Sequence, residues 1–323
     1  MRGISKYVSR YVLIIAIMVG LPLIPMSPYL LHVLVLIYLY AFFATCWNLM
    51  SGYAGALSLG HAAFVGVGAY LTYFLFAWYG LSPWIGMLIA ALMTMGLAVV
   101  LGYPCFRYGV RGVYFALATI AFAEILKDLC LFYRDITGGA LGSYLQYLGF
   151  SPLYFQFVDK RYYCYIAMGL WALSIYLTHR LKKFRHKLIA IREDEDAAAA
   201  LGINVTKNKL MVLLLSSFLT AIGGAFWIQY YRYISPGTVL SLDLSIEIAL
   251  IGIFGGMYNM FGPAIGAMIL KPVSEVLRAY LGGTYAGLHL MIYGALLMIV
   301  LIFMPRGVAG YMQKYFTKGK SEG

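Results

Sequence analysis

The chain has 323 residues, is 63% hydrophobic and only 11% charged, and has a mean hydropathy of +0.82. Globular domains average nearer half apolar and a quarter charged, which excludes a water-soluble domain and leaves an all-α polytopic membrane protein. The formal charge of +12 does not indicate a nucleic-acid partner, because the basic residues lie in loops between apolar spans, where they report topology.

The chain opens with Arg2, Lys6 and Arg10 before an apolar run from Tyr11 to Ile24. No small-x-small cleavage site follows, only Pro25-Met26-Ser27-Pro28, so this run is expected to be an uncleaved first span. A spanning helix takes about 20 mainly apolar residues, and about ten transmembrane helices are expected on that ruler. They are Tyr11 to Ile24, Leu30 to Met50, His61 to Tyr79, Pro83 to Leu101, Gly112 to Phe132, Tyr162 to Thr178, Leu210 to Tyr231, Ile246 to Met257, Gly262 to Leu281 and Leu288 to Met304. With the N-terminus in the cytoplasm, the inside loops carry Arg107 and Arg111, the island from Arg180 to Lys209, and Arg306, Lys314, Lys318 and Lys320. The outside loops carry chiefly Arg134 and the Lys160-Arg161 pair, offset by Asp135 and Asp159. Both termini are then cytoplasmic. The expectation is one transmembrane domain over 1–323, embedded in membrane lipid, with a cytoplasmic loop at 179–209 and a cytoplasmic tail at 305–323.

Glycines and small residues recur in two stretches, Ser51 to Tyr70, with Gly52, Gly55 and Gly60, and Gly252 to Ala267, with Gly255, Gly256, Gly262 and Gly266. Close helix packing in the bilayer accounts for such a pattern. So do interrupted helices beside a transport pathway, and the short eighth span fits that second reading.

Residues 185–204 form the longest charged island. Its second half reads as a helix of three turns at most: Glu193 to Asp196 suit a helix N-terminus, Ala197 to Leu201 favour helix, and Gly202 stands where a left-handed C-terminal cap belongs. A helix that short is marginal alone in water. Stranded between two spans, it needs something to dock on, and a partner protein is the expected dock.

Charges within spans are costly and are expected to pair. Lys127 lies one turn from Glu124, with Asp128 beside it, and Lys271, Glu275 and Arg278 are grouped around Pro272. Mutual neutralisation is the favoured explanation of both groups, because they lie in the outer parts of their spans, and lining a translocation cavity or meeting a binding protein is the alternative. Glu247 is ambiguous in the same way. Asn48 and His61 flank the first glycine-rich stretch, and neither is spaced for metal. The cysteines show no paired spacing, the tyrosines suit interfacial belts, and no nucleophile, base and orienter arrangement is legible. Gly319-Lys320-Ser321 ends like a phosphate loop, but Lys314 stands where that motif requires glycine. No cofactor site is legible, and the chain cannot bind ATP through that stretch.

Several of these motifs together resemble a known family. Asn48 to Gly55, Ser58 to Phe64, Arg111 to Ile125, Thr137-Gly138-Gly139, Ala190 to Asn204, Gly255-Gly256 with Gly262-Pro263 and Gly266-Ala267, and Pro305-Arg306-Gly307 resemble the LivM-type membrane permease of branched-chain amino acid ABC transporters. Asp196-Ala197-Ala198 followed by Gly202 is similar to the coupling-loop signature of ABC importers, with Asp in place of the usual Glu. The resemblance implies a non-enzymatic transport subunit of the ABC importer permease fold in a bacterial or archaeal inner membrane. It also implies a second, related permease, two ATP-hydrolysing subunits and an extracytoplasmic solute-binding protein. Coupling to the ATPase is expected at Arg185, Arg192, Glu193, Asp196, Ala197, Ala198 and Gly202, with ion pairs into the ATPase groove. The translocation pathway is expected near Asn48, Gly52, Gly55, His61, Glu124, Lys127, Gly255 and Gly256. The same scaffold serves urea, short amides and other amino acids, and an ion-coupled secondary transporter or a purely structural membrane subunit are further alternatives.

Overall fold

The computed structural model describes residues 24–281 continuously, together with Gly20, Pro22, Met291, Gly294, Ala295, Met298 and 307–310. Most of the first expected span, of the tenth and of the tail lies outside the described residues. The other eight expected spans each coincide with a helix. These are α1 (Pro28–Asn48), α2 (Ala62–Tyr79), α3 (Pro83–Arg107), α4 (Gly112–Phe132) and α5 (Lys160–Arg180), then, after two helices of the charged island, α6 (Lys182–Glu193) and α7 (Glu195–Ala200), α8 (Val205–Tyr231), α9 (Leu242–Gly255) and α10 (Gly262–Leu281). Among the described residues the only sheet is a two-residue antiparallel ladder of β1 (Ser143–Tyr144) and β2 (Tyr233–Ile234), pairing Ser143 with Ile234. The chain is an all-α polytopic membrane protein.

Boundaries move where capping chemistry decides them. The seventh expected span begins five residues early, because Asn204 Oδ1 accepts from Lys207 N at 2.9 Å and caps α8 at Val205. The first half of the charged island is also helical, as α6, with Leu188 and Ile191 buried one turn apart and Lys182, Lys183, His186 and Lys187 exposed.

Among the described residues, five helical stretches are long and apolar enough to cross a bilayer by length and composition: Pro28–Tyr53, Ala62–Tyr79, Pro83–Arg107, Val205–Tyr231 and Pro236–Gly255. Helices α4 and α10 carry three acidic or basic residues each within their spans, Glu124, Lys127 and Asp128 in one and Lys271, Glu275 and Arg278 in the other.

Helix α1 is the axis of the bundle. Every residue from Tyr38 to Asn48 is buried, as expected for a helix that is apolar all round. Helices α5, α9 and α10 pack on it, and α8, itself buried along its second half, carries α2 and α3. Outward from this core, α3 presents Ile85, Leu88, Leu92, Val99 and Tyr103 to the surroundings. That row would be an aggregation surface in water and is a lipid-facing surface in a bilayer.

Both glycine-rich stretches are interrupted helices. Helix α1 ends in a π-turn, Leu49–Tyr53, and regular helix resumes only at Ala62. Helix α9 stops at Gly255, and α10 begins at Gly262 after a tight loop. Helix α9 is 14 residues long, about 21 Å, too short alone for a hydrocarbon core of about 30 Å. A separate helical turn, Pro236–Val239, precedes it.

Candidate coupling site

The island folds as two helices at an angle because Asp194 breaks the first and caps the second. Its backbone is extended (φ −157°, ψ 114°), and its Oδ1 accepts from Asp196 N and Ala197 N, both at 2.9 Å. Helix α7 ends as the glycine placement predicts. Ile203 N donates to Ala198 O at 3.1 Å and Gly202 N to Ala199 O at 2.9 Å, with Gly202 at φ +81°. That is a Schellman closure, which needs a left-handed residue at the turn.

Charge pairs hold α7 against the bundle. Arg111, the residue before α4, reaches Glu195 Oε2 with Nε at 3.0 Å and Asp196 Oδ1 with Nη2 at 3.1 Å. Lys209 on α8 pairs with the other oxygen of Glu195. The guanidinium donates to Asp196 and sits beside it, and this holds the Asp196 carboxyl below its ordinary value of 3.8. Arg111 and Asp196 are 50% and 83% exposed, so solvent and salt screen this pair.

Ala198 is buried against the bundle, while Ala197, Ala200 and Leu201 are exposed. They form an uncharged strip at helical spacing. Glu193 is exposed and pairs with its neighbour Arg192.

Arg192 itself turns inward, its side chain 21% exposed. Its Nη1 donates to Gly52 O at 3.3 Å, and its guanidinium lies 4.2 Å from the ring centre of Tyr258. Gly55 has φ +69°, and a Cβ there would stand 2.6 Å from Arg192 Cγ, so the π-turn admits the arginine only with glycine at that position. One side chain therefore touches the charged island, the first break through Gly52 and Gly55, and the second break through Tyr258. Arg185 makes a parallel contact, 5.4 Å over the ring of Tyr53.

The two breaks also touch each other. Asn48 Nδ2 donates to Asn259 O at 3.3 Å, and Gly52 lies so near Met257 O that an added Cβ would come within 2.4 Å. Gly255 meets Gly262 backbone to backbone, and Gly256 turns the chain at φ +115°. Beneath Arg185 and Tyr258 lies a cavity of about 550 Å³, lined also by Tyr53, His179, Gly256 and Asn259.

The remaining expected residues stand apart from this junction. His61 is fully buried at the start of α2, its Nε2 3.0 Å from Thr220 Oγ1 and 3.3 Å from Ser216 Oγ. Glu124 and Lys127 form the expected pair, at 2.9 Å, on α4.

Compared with known proteins, the chain matches the family model described as branched-chain amino acid transport system / permease component over residues 29–301. The chain belongs to this family. It is 28% identical over 285 residues to the high-affinity branched-chain amino acid transport system permease protein LivM of Escherichia coli (strain K12), covering 81% of this chain and 65% of that protein. It is 25% identical over 255 residues to a probable branched-chain amino acid transport permease protein LivH of Methanocaldococcus jannaschii, covering 76% of this chain and 80% of that protein. To the LivH permease of Escherichia coli (strain K12) it is 23% identical over 298 residues, covering 84% and 91%. The chain thus spans a little under two thirds of the length of the LivM relative. No solved structure matches it. The permease is a multi-pass inner-membrane protein.

Sequence reasoning missed Arg111, Glu195, Lys209 and Tyr258 as members of this junction. Arg111 carried a topological signal and opened the Arg111 to Ile125 motif, and Lys209 carried a topological signal alone. Tyr258 carried none, because contact between residues 192 and 258 is a property of the fold alone.

Proposed function

We propose that this permease is the transmembrane subunit of an ATP-binding cassette importer that carries branched-chain or related apolar amino acids across the inner membrane. It works as one transmembrane domain, with residues 179–209 as the cytoplasmic coupling loop and 305–323 as a cytoplasmic tail. Its partners are two ATPase subunits, a second related permease and an extracytoplasmic solute-binding protein. The observation that carries this reading is Arg192, which ties the island to both helix breaks at once. In a secondary transporter an exposed two-helix loop would need no such tie.

Mechanically, the uncharged strip of Ala197, Ala200 and Leu201 seats in a groove of the ATPase, with Glu193 at its edge. Closure of the two ATPase subunits on ATP pushes α6 and α7. Arg192 and Arg185 carry that displacement to the π-turn and to the loop at 256–261, where backbone outside regular helix is free to re-pair. The spans then rock between inward-open and outward-open arrangements, with Asn48, Gly52, Gly55, Gly255 and Gly256 at the moving junction, and His61, Glu124 and Lys127 further along the pathway. The family and the names of the relatives support the choice of solute.

The test is purification of the tagged chain in mild detergent from its native membrane, beside a Gly202→Arg variant. Two ATPases and a second permease are expected with the wild type, and the ATPases are expected to be lost from the variant. Recovery of the chain alone from both would favour a secondary transporter. Reconstitution with the binding protein then tests the solute, the expected result being leucine uptake that depends on ATP and not on a proton gradient.

A further inference from the structure

A second cavity, of about 510 Å³, opens between α1, α8, α9 and α10 toward the end of the bundle away from α6 and α7. Ligand pockets for small molecules run from about 300 to 1,000 Å³. Its walls are divided by chemistry. One holds charge: Lys271 Nζ is 2.9 Å from Glu247 Oε1, 3.6 Å from Glu275 Oε1, and 3.7 Å from the ring centre of Tyr40. Another is apolar, formed by Trp227, Leu244 and Ile246.

Mutual neutralisation accounts for Lys271, which has two carboxylates and an aromatic face. It does not account for the rest. The Glu275 side chain is 6% exposed, yet its Oε1 accepts no hydrogen bond among the described residues, since Lys271 at 3.6 Å and Arg278 Nη1 at 3.7 Å are both beyond bonding range. A buried carboxylate oxygen without a donor calls for one. Arg278 has an exposed guanidinium whose only ion-pair partner among the described residues is that distant Glu275 oxygen. Asp243 on the rim brings the carboxylates to three against two cations, a balance that favours a ligand ammonium, while Arg278 offers a planar fork to a ligand carboxylate.

We propose that this cavity is a membrane-embedded subsite for an apolar α-amino acid, in which Glu247 and Glu275 receive the α-ammonium, Arg278 the α-carboxylate, and Trp227, Leu244 and Ile246 the side chain. The inference rests on the transport reading above and gives it a place in the bundle. Lys271, between the two, acts as a positioning residue that fixes both acidic side chains.

The test uses the complete transporter in nanodiscs, without the binding protein and without ATP, and measures tritiated leucine by scintillation proximity. Isoamylamine, which lacks the carboxylate, and isovalerate, which lacks the ammonium, serve as competitors. Wild type is expected to bind leucine and to prefer it to both. Glu247→Gln and Arg278→Gln are each expected to weaken leucine by about tenfold or more. Isovalerate should then compete nearly as well as leucine in the first variant, and isoamylamine nearly as well in the second, a change of ranking that a misfolded protein would not give. Basal ATPase activity confirms that each variant assembles. Two results overturn the subsite and leave the transport reading standing: wild-type affinity and ranking in both variants, or no leucine binding by a wild type that still imports leucine when binding protein and ATP are added. A wild type that imports no leucine under those conditions overturns both.

Discussion

Two ion-pair clusters of the permease each join two cations to two carboxylates. At the coupling site these are Arg111 and Lys209 with Glu195 and Asp196. At the cavity they are Lys271 and Arg278 with Glu247 and Glu275. The environments differ. Asp196 is 83% exposed, whereas Lys271 is 2% exposed within the bundle. Exposed pairs contribute little and are screened by salt, so the Arg111–Asp196 pair can release and re-form, while the Lys209–Glu195 pair, 5% and 18% exposed, stays as a buried anchor. A buried cluster is stable only while complete, because removal of one partner strands another charge. The first arrangement suits a joint that moves, the second a cavity that must keep its shape.

The most severe test of this contrast is Lys271→Met. It leaves Glu247 and Glu275 without their shared cation, and a loss of about 3–5 kcal/mol is expected. Thermal unfolding in detergent checks it, and poor accumulation in the membrane would be the cellular counterpart. The triple variant with Glu247→Gln and Glu275→Gln added should recover most of the loss. A single variant that melts like wild type would mean that the cluster is as wet as the coupling site.

Arg192 lies between the extremes. Removing it as Arg192→Ala forfeits the Gly52 hydrogen bond and the Tyr258 contact, about 1–2 kcal/mol of stability. Transport is expected to suffer much more, because the assembled complex should hydrolyse ATP without moving solute. Arg192→Lys should not restore coupling, since an ammonium cannot both lie flat on the ring and reach the carbonyl. Gly55→Val should copy the defect by blocking the arginine from the π-turn. The ratio of solute moved to ATP hydrolysed is the readout, and an unchanged ratio in Arg192→Ala would remove this residue from the transmission path.

What the sequence reveals follows from how local each signal is. Apolar runs and Gly202 speak through the chain within a turn or two, so helix positions and the C-terminal cap of α7 are legible from residues alone, whereas the helix starts set by Asp194 and Asn204 emerge only with the backbone. The glycine-rich stretches announce that something irregular stands there, but not that the π-turn at 49–53 and the loop at 256–261 touch. Arg192 reads as an outward-facing partner for an ATPase because island charges usually face water. Its inward turn depends on a space that Gly55 leaves, 137 positions earlier in the chain. Lys271, Glu275 and Arg278 lie on one helix and their pairing is visible, while Glu247 joins them only through the packing of α9 on α10.

The smallest expected effect concerns pH at the coupling anchor, and its sign is fixed. Arg111 holds Asp196 below its ordinary value of 3.8, so the folded state binds this proton less readily than the unfolded chain does. The stabilising contribution is complete above about that pH and is lost as pH falls through the lower folded value. A spin label at the exposed Ala200 should therefore gain mobility on acidification below pH 3.8 and, at neutral pH, on addition of molar salt, where the screening length shrinks to about 3 Å. Asp196→Asn should start more mobile and respond less to either treatment. A wild-type label indifferent to both would show that α7 is held by Ala198 and Lys209 rather than by the exposed pair. The cavity cluster gives the control: a label beside it should ignore the same salt, because charges removed from water are screened much less.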